Sequence, residues 1–213
     1  MSLKYIDEYF EDPKIIQKVK EKLSVMFQVA ELESSRAGRV GMEVGSIRER
    51  IIISLLMTIY GKEEIETEIP ITESEIDVKV LKKPISIKTI TGLTGIKVLW
   101  TVDSKKAKEY LDNYQPTCDL ILALIKWKRK STDHPGGLYF IPLRVQKEIL
   151  KRMGAKQYLK LPKKGTNPRG IELSKKALIE LLQHQNTKCI TVYWEKEKLD
   201  YDIYLRWMNK WQK

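Results

Sequence analysis

The chain changes its hydrophobic period several times, and each change marks an element. After Pro13, the apolar residues Ile15, Ile16, Val19, Leu23, Met26, Phe27 and Ala30 recur at three- and four-residue spacing. That spacing predicts one amphipathic helix to about Ser34, with the proline in its first turn. In the stretch from Ser34 to Gly45, Gly38, Gly41 and Gly45 remove side chains at intervals while Arg36 and Arg39 supply charge. This reads as a loop made for close approach to another molecule. Ser46, with Glu49 three residues on, then has the form of a capping box ahead of the apolar run Ile51 to Ile59, and Gly61 ends the helix. Because the run is apolar nearly all round, the helix is expected at the centre of the molecule, with only its polar N-terminus free to meet a ligand.

From Glu63 the period falls to two. Glu63 to Ile69 reads as a strand, and Ile76, Val78 and Val80 alternate with Asp77 and Lys79. After the break Lys82-Lys83-Pro84, Ile85 and Ile87 alternate with Ser86 and Lys88, which predicts a hairpin. Ile96 to Val102 is more continuously apolar and reads as an inner strand. A short basic helix over Ser104 to Tyr114 follows, then apolar strands at Cys118 to Trp127 and Leu138 to Ile141. The remainder gives a helix from Leu143 to Met153 after Pro142, an exposed loop from Leu161 to Gly170 and a helix from Ser174 to about His184. Cys189 to Trp194 reads as an edge strand, and Leu199 to Trp211 as a final helix with Trp207 and Trp211 on one face. The sum is a mixed α+β (α/β) fold in a single domain over residues 1–213: a central mixed sheet of about five strands flanked by helices on both faces.

Composition narrows the partner. With 39 basic and 28 acidic residues the chain carries a net charge of +11, and only two residues are histidines, so the excess is permanent at neutral pH. Such charge favours a polyanion, with nucleic acid the leading candidate. An anionic membrane is disfavoured, since neither a signal peptide nor an apolar run of transmembrane length is present. Cys118 and Cys189 are isolated thiols without metal spacing, which suits a reducing cytoplasm and no disulfide.

If the apolar residues of the hairpin face the core, Asp77, Ser86 and Lys88 emerge together on the opposite face. An exposed cross-strand ion pair would explain Asp77 and Lys88 equally well. However, an Asp on one strand and a Lys on the next resembles the skeleton of the PD-(D/E)XK nucleases. Here the closing tripeptide is Ser86-Ile87-Lys88, with serine where the family has its second acid, and Ile76 rather than proline precedes Asp77. The segment Gly41 to Gly61 resembles the helix that in many of these enzymes supplies an extra glutamate. The whole chain resembles the ThaI family of small type II restriction endonucleases, which cut CG/CG to blunt ends.

That resemblance implies a restriction-endonuclease-like fold acting on double-stranded DNA with Mg²⁺, as a homodimer, in the cytoplasm. It also implies a cognate methyltransferase in the same system, not physically associated. Its active site carries over as Glu49, Asp77 and Lys88. Glu49 and Asp77 would give oxygen ligands to Mg²⁺, with the Ile87 carbonyl and waters completing the shell, and Lys88 would orient or deprotonate the attacking water. A capping box alone would also account for Glu49. Ser86 is the feature that favours a DNA-binding protein without catalysis, and a structure-selective or repair nuclease of the same fold is the other alternative.

For DNA contact the sequence offers Ser86 beside the site, His134 in a Gly-rich turn, and two basic clusters: Lys126, Lys128, Arg129 and Lys130, then Lys163, Lys164 and Arg169. Arg or Lys at these clusters could satisfy guanine N7 and O6 in the major groove. Met42 stands between glycines in polar surroundings. It either folds back onto the core or, with Arg36 and Arg39 anchoring the loop on the backbone, enters the duplex as a wedge from the minor groove.

Overall fold

The computed structural model describes residues 4–36, 39–70, 73, 75–93, 95–99, 104–127, 135–161 and 170–212. The first helices are α1 (Ile6–Tyr9) and α2 (Pro13–Ser34). α2 starts where the periodicity placed it, because the Asp12 carboxylate accepts the N–H groups of Lys14 and Ile15 at 2.8 and 3.4 Å and Pro13 has no N–H to satisfy. A two-stranded ribbon, β1 (Ser35–Arg36) and β2 (Arg39–Val40), leads into α3 (Val44–Tyr60) and then β3 (Ile65–Glu66), β4 (Val78–Val80) and β5 (Lys83–Thr91). β6 (Lys97–Leu99), α4 (Ser104–Asn113), β7 (Asp119–Ile125) and β8 (Gly137–Ile141) follow. The chain ends with α5 (Leu143–Met153), α6 (Ala155–Tyr158), β9 (Leu159–Lys160), β10 (Ile171–Leu173), α7 (Lys175–Gln183), β11 (Lys188–Thr191) and α8 (Leu205–Trp211).

The central sheet has six strands in the order β11-β8-β7-β5-β4-β3. β5 and β7 run parallel, in register from Ile85↔Asp119 to Thr91↔Ile125, and the other neighbours are antiparallel. A parallel pair needs a crossover, and the chain between β5 and β7 supplies it with β6 and α4. The mixed fold with helices on both faces, expected from the sequence, is the fold found. Alternate residues of the inner strands enter two separate cores. Ile85, Ile87, Ile121, Ala123, Ile125 and Phe140 pack with α1, α2 and α3, whereas Ile90, Leu120, Leu122, Leu124, Tyr139 and Ile141 pack with α4 to α7. Each Ile, Leu or Phe among them contributes about 1.5–3 kcal/mol on burial.

Four elements differ from expectation. Of the inner strand expected over Ile96 to Val102, the described residues 96–99 do not join the central sheet: β6 belongs to a separate three-stranded sheet, β6-β10-β9, and Ile96 is apolar because it seals the second core. The strand expected over Glu63 to Ile69 is a 3-10 turn at Lys62–Glu64 followed by the two-residue β3. α3 is not buried all round; Arg48, Ile52, Leu56 and Tyr60 form its buried stripe, while Ser46, Arg50, Ser54 and Thr58 face solvent at the same four-residue interval. The last helix begins at Leu205 rather than Leu199, after the Asp202 carboxylate accepts the Tyr204 N–H at 2.7 Å in a local turn, and Trp207 and Trp211 are exposed instead of joining the core. Cys118 and Cys189 are free thiols, and no helix among the described residues is long and apolar enough to cross a membrane.

Candidate active site

The site is assembled where β4 and β5 turn back on one another. Leu81 and Lys82 form the whole turn, with φ of 50° and 64°. Both lie in the left-handed region that a two-residue hairpin of this twist needs, although neither is Gly or Asn. A tertiary hydrogen bond holds the strain, from the Leu81 N–H to the Glu64 carbonyl at 3.0 Å. The turn therefore starts one residue before the expected Lys82-Lys83-Pro84 break and takes in only its Lys82, while Lys83 and Pro84 open β5, pairing with Val80 and Lys79.

Asp77 sits one residue before β4, its N–H bonded to the Ile85 carbonyl at 3.0 Å. Its Oδ2 accepts from Ser86 Oγ at 3.1 Å, from the Ile87 N–H at 2.6 Å and from Lys88 Nζ at 2.7 Å. One carboxylate oxygen thus clamps three successive residues of the neighbouring strand, and the other has no partner among the described residues. Lys88 and Asp77 are each about one quarter exposed, enough to meet a ligand. The Ile87 side chain, pointing the other way, is fully buried in the first core.

Glu49 comes to this site from the second turn of α3. Burial, reinforced by the Asp77 charge and partly offset by Lys88, pushes its carboxyl from an ordinary 4.5 up to about 7. It has no hydrogen-bond or ion-pair partner among the described residues. Nor does it close a capping box: α3 starts two residues before Ser46, Glu43 occupies the cap position in helical conformation, and that end has no side-chain cap hydrogen bond. The Ser-x-x-Glu pattern expected to cap the helix lies wholly inside it.

Glu49, Ser86 and Lys88 line one cleft of about 590 Å³ together with Gly45, Glu75, Lys97, Tyr114 and Gln146. A β-carbon added to Gly45 would meet nothing within 4 Å, so the first turn of α3 faces open space there. Among the described residues there is no cluster of three His, Cys, Asp or Glu side chains of the kind that encloses a metal. What is present is a half-buried carboxylate without a donor, next to a second carboxylate with a free oxygen. A divalent cation relieves that repulsion, and two carboxylates plus backbone carbonyl and water are an adequate donor set for Mg²⁺.

A family model, restriction endonuclease ThaI, matches residues 9–213. The chain belongs to this family. It is therefore a type II site-specific nuclease, a hydrolase acting on DNA, and enzymes of this kind generally use a divalent metal. A solved structure described as a restriction endonuclease in complex with substrate DNA superimposes with a TM-score of 0.88 at 49% sequence identity, covering 98% of this chain and 99% of that one. No match was found among curated proteins.

Seen against the sequence expectations of a ThaI-family nuclease, Glu49, Asp77, Ser86, Ile87 and Lys88 come together. Arg36, Arg39 and Met42 do not reach the cleft but share the segment that enters α3. Arg36 and Arg39 face each other across the β1–β2 ribbon, both exposed and without a partner among the described residues. Met42 does not fold back onto the core; it is 94% exposed. Gly41 permits the tight entry, since a β-carbon there would meet the Ser34 carbonyl at 2.6 Å. Lys126 lies just beyond the end of β7. Lys128, Arg129, Lys130, His134, Lys163, Lys164 and Arg169 lie outside the described residues.

Glu75 is the cleft residue that sequence reading passed over. Its carboxylate accepts from Tyr110 Oη at 3.0 Å and Thr117 Oγ1 at 2.8 Å. The signal was its position two residues before Asp77, which in an extended chain places both side chains on one face.

Proposed function

We propose that this nuclease hydrolyses double-stranded DNA at a short palindromic G/C site, CG/CG, leaving blunt ends, with Mg²⁺ and as a homodimer. The observation that carries the catalytic part is the Asp77–Lys88 pair at 2.7 Å, with Lys88 and Glu49 lining one open cleft and Glu49 close enough for the Asp77 charge to add to burial in raising its pKa. Asp77 and Glu49, with the Ile87 carbonyl, would hold the cation. When bound, such an ion polarises the phosphoryl oxygen and generates a nucleophile from water near neutral pH.

The chain's own residues supply the rest. Lys88, held by Asp77, directs its ammonium at the phosphate that gains negative charge in the transition state and orients the attacking water. Ser86 does not replace the missing acid; its hydroxyl helps fix the Asp77 rotamer, whose other oxygen would be left for the cation. The N-terminus of α3, bare at Gly45, adds a favourable potential for the scissile phosphate. Arg36 and Arg39 repel each other across a small ribbon, a cost that phosphate contacts relieve. Met42, exposed between them and α3, would wedge between base pairs. Lys126, Lys128, Arg129, Lys130, His134, Lys163, Lys164 and Arg169 remain the candidates for base and backbone contacts beyond the site.

Incubation of plasmid with protein and Mg²⁺, and in parallel with EDTA, tests the reading. Discrete fragments with blunt ends at CGCG, appearing only with Mg²⁺, are expected. Cutting confined to junctions, or no cutting by folded protein, contradicts it. Sedimentation of the DNA complex should show two chains per duplex.

A further inference from the structure

Between α2 and α3 lies a buried charged cluster that the site does not use directly. Glu31 on α2 is only 7% exposed. Its Oε1 accepts from Arg48 Nη2 at 2.5 Å and from the Trp127 indole N–H at 2.6 Å, and its Oε2 pairs with Lys196 Nζ at 2.8 Å. The Arg48 guanidinium also stands over the Phe27 ring at 5.6 Å, and the Lys196 ammonium over the Trp127 ring at 5.1 Å. One carboxylate thus joins α2, α3, the end of β7 and the C-terminal segment.

We infer that Glu31 is a positioning residue for the nuclease site: by fixing Arg48 it holds the first two turns of α3 in place, and so the placement of Glu49, with the Trp127 N–H holding Glu31 in that pose. This rests on the reading that Glu49 holds the metal. Arg48 and Glu49 are consecutive on one helix and therefore about 100° apart around its axis. Holding Arg48 against α2 directs Glu49 toward Asp77 and Lys88. Ile52, Leu56 and Tyr60 fix the rotation of α3 from Ile52 onward, but its start lacks a side-chain cap hydrogen bond and follows the exposed Met42, so Arg48 is the first buried residue to hold the helix. A carboxylate roughly 5 Å from the helix axis moves by about 2 Å for a rotation of about 20°, far beyond the ±0.2 Å or so that metal ligation tolerates.

A merely structural ion pair would affect stability alone, so the test reads metal use. Glu31→Gln keeps an acceptor for Trp127 but removes the charge facing Arg48; Trp127→Phe removes one N–H and keeps the ring. For each variant and for Glu49→Gln, single-turnover cleavage of a CGCG duplex is measured against Mg²⁺, with DNA affinity in EDTA and Tm alongside. In Glu31→Gln the Mg²⁺ concentration for half-maximal cleavage should rise about tenfold, and the metal-saturated rate should fall by a similar factor, as for loss of an outer-shell partner. DNA affinity in EDTA should stay within about twofold. Trp127→Phe should shift the Mg²⁺ requirement in the same direction by a smaller factor, about threefold. A folded Glu31→Gln with wild-type Mg²⁺ dependence overturns the inference. If Glu31→Gln does not fold, an unshifted requirement in Trp127→Phe overturns it instead. A shift in Glu49→Gln but not in these variants sinks the positioning role alone, whereas no shift in Glu49→Gln sinks the metal-site reading beneath it.

Discussion

The two sides of β5 have the same backbone and nearly the same sequence position, yet they do different work. On one side Ile85 and Ile87 enter a sealed core with α2 and α3; on the other Ser86 and Lys88 line the open cleft. The Asp77 carboxylate reaches across to β5 to bond Ser86, Ile87 and Lys88, so the side proposed to carry the chemistry is tied to the backbone of the residue whose side chain is buried on the other. Adjacent substitutions should therefore separate the two properties.

The largest effect is expected at Asp77, where the two sides meet. Asp77→Ala removes the proposed metal ligand and also leaves the Ile87 N–H without its acceptor. Cleavage should fall by roughly 10³-fold or more, and Tm should drop as well. Plasmid digestion with a parallel thermal melt checks both; unchanged melting would mean that the clamp contributes nothing to the fold.

Ile87→Ala, one residue from Lys88, is expected to do the reverse. It should cost about 2–5 kcal/mol by denaturant titration, because a fully buried side chain leaves a cavity, while the rate per folded molecule stays close to wild type. A stable variant with lost cleavage would place Ile87's side chain, not only its backbone, in the chemistry.

Glu49 gives a pH test. Its folded pKa of about 7 lies above the ordinary 4.5, so the neutral form is the favoured one in the metal-free fold. Its contribution to stability is complete below about pH 4.5 and is lost as pH rises through about 7. Metal binding has the opposite sign, since it needs the ionised carboxylate: Mg²⁺ affinity should weaken as pH falls below about 7, approaching tenfold per pH unit. Glu49→Gln should flatten the stability profile. A Mg²⁺ affinity that is level from pH 8 to 5 would show that Glu49 is not a ligand.

The smallest effect on the protein itself is expected at Met42. Met42→Ala should leave Tm and non-specific DNA binding almost unchanged, because the side chain is exposed, and should weaken specific binding and cleavage by about tenfold if the wedge is used. Equal affinity of variant and wild type for a CGCG duplex would remove the wedge.

Much of this arrangement was legible in the sequence because the relevant interactions are short-range or periodic. α2, α5 and the strands β7 and β8 follow from spacing and from Pro13 and Pro142, and the alternation around Asp77 and Lys88 puts both on one face. What escaped depended on distant partners. The Leu81–Lys82 turn carries no turn residue and is held by Glu64. Residues 97–99 pair with β10, more than seventy positions away, rather than with the central sheet. Ser46 and Glu49 match a local capping pattern, but the segment before them is already helical, which frees Glu49 for the cleft. Glu31 gave no signal at all, because its partners Arg48, Trp127 and Lys196 meet only in the folded chain.

The most direct test of a two-sided β5 is Lys88→Ala, measured by single-turnover cleavage of a CGCG duplex at saturating Mg²⁺ with a melt of the same sample. Lys88 is partly exposed and its loss leaves Asp77 bonded to Ser86 and Ile87, so Tm should stay within a few degrees while the rate falls by roughly 10³-fold. Cleavage at the wild-type rate would contradict the assignment of the cleft as the active site.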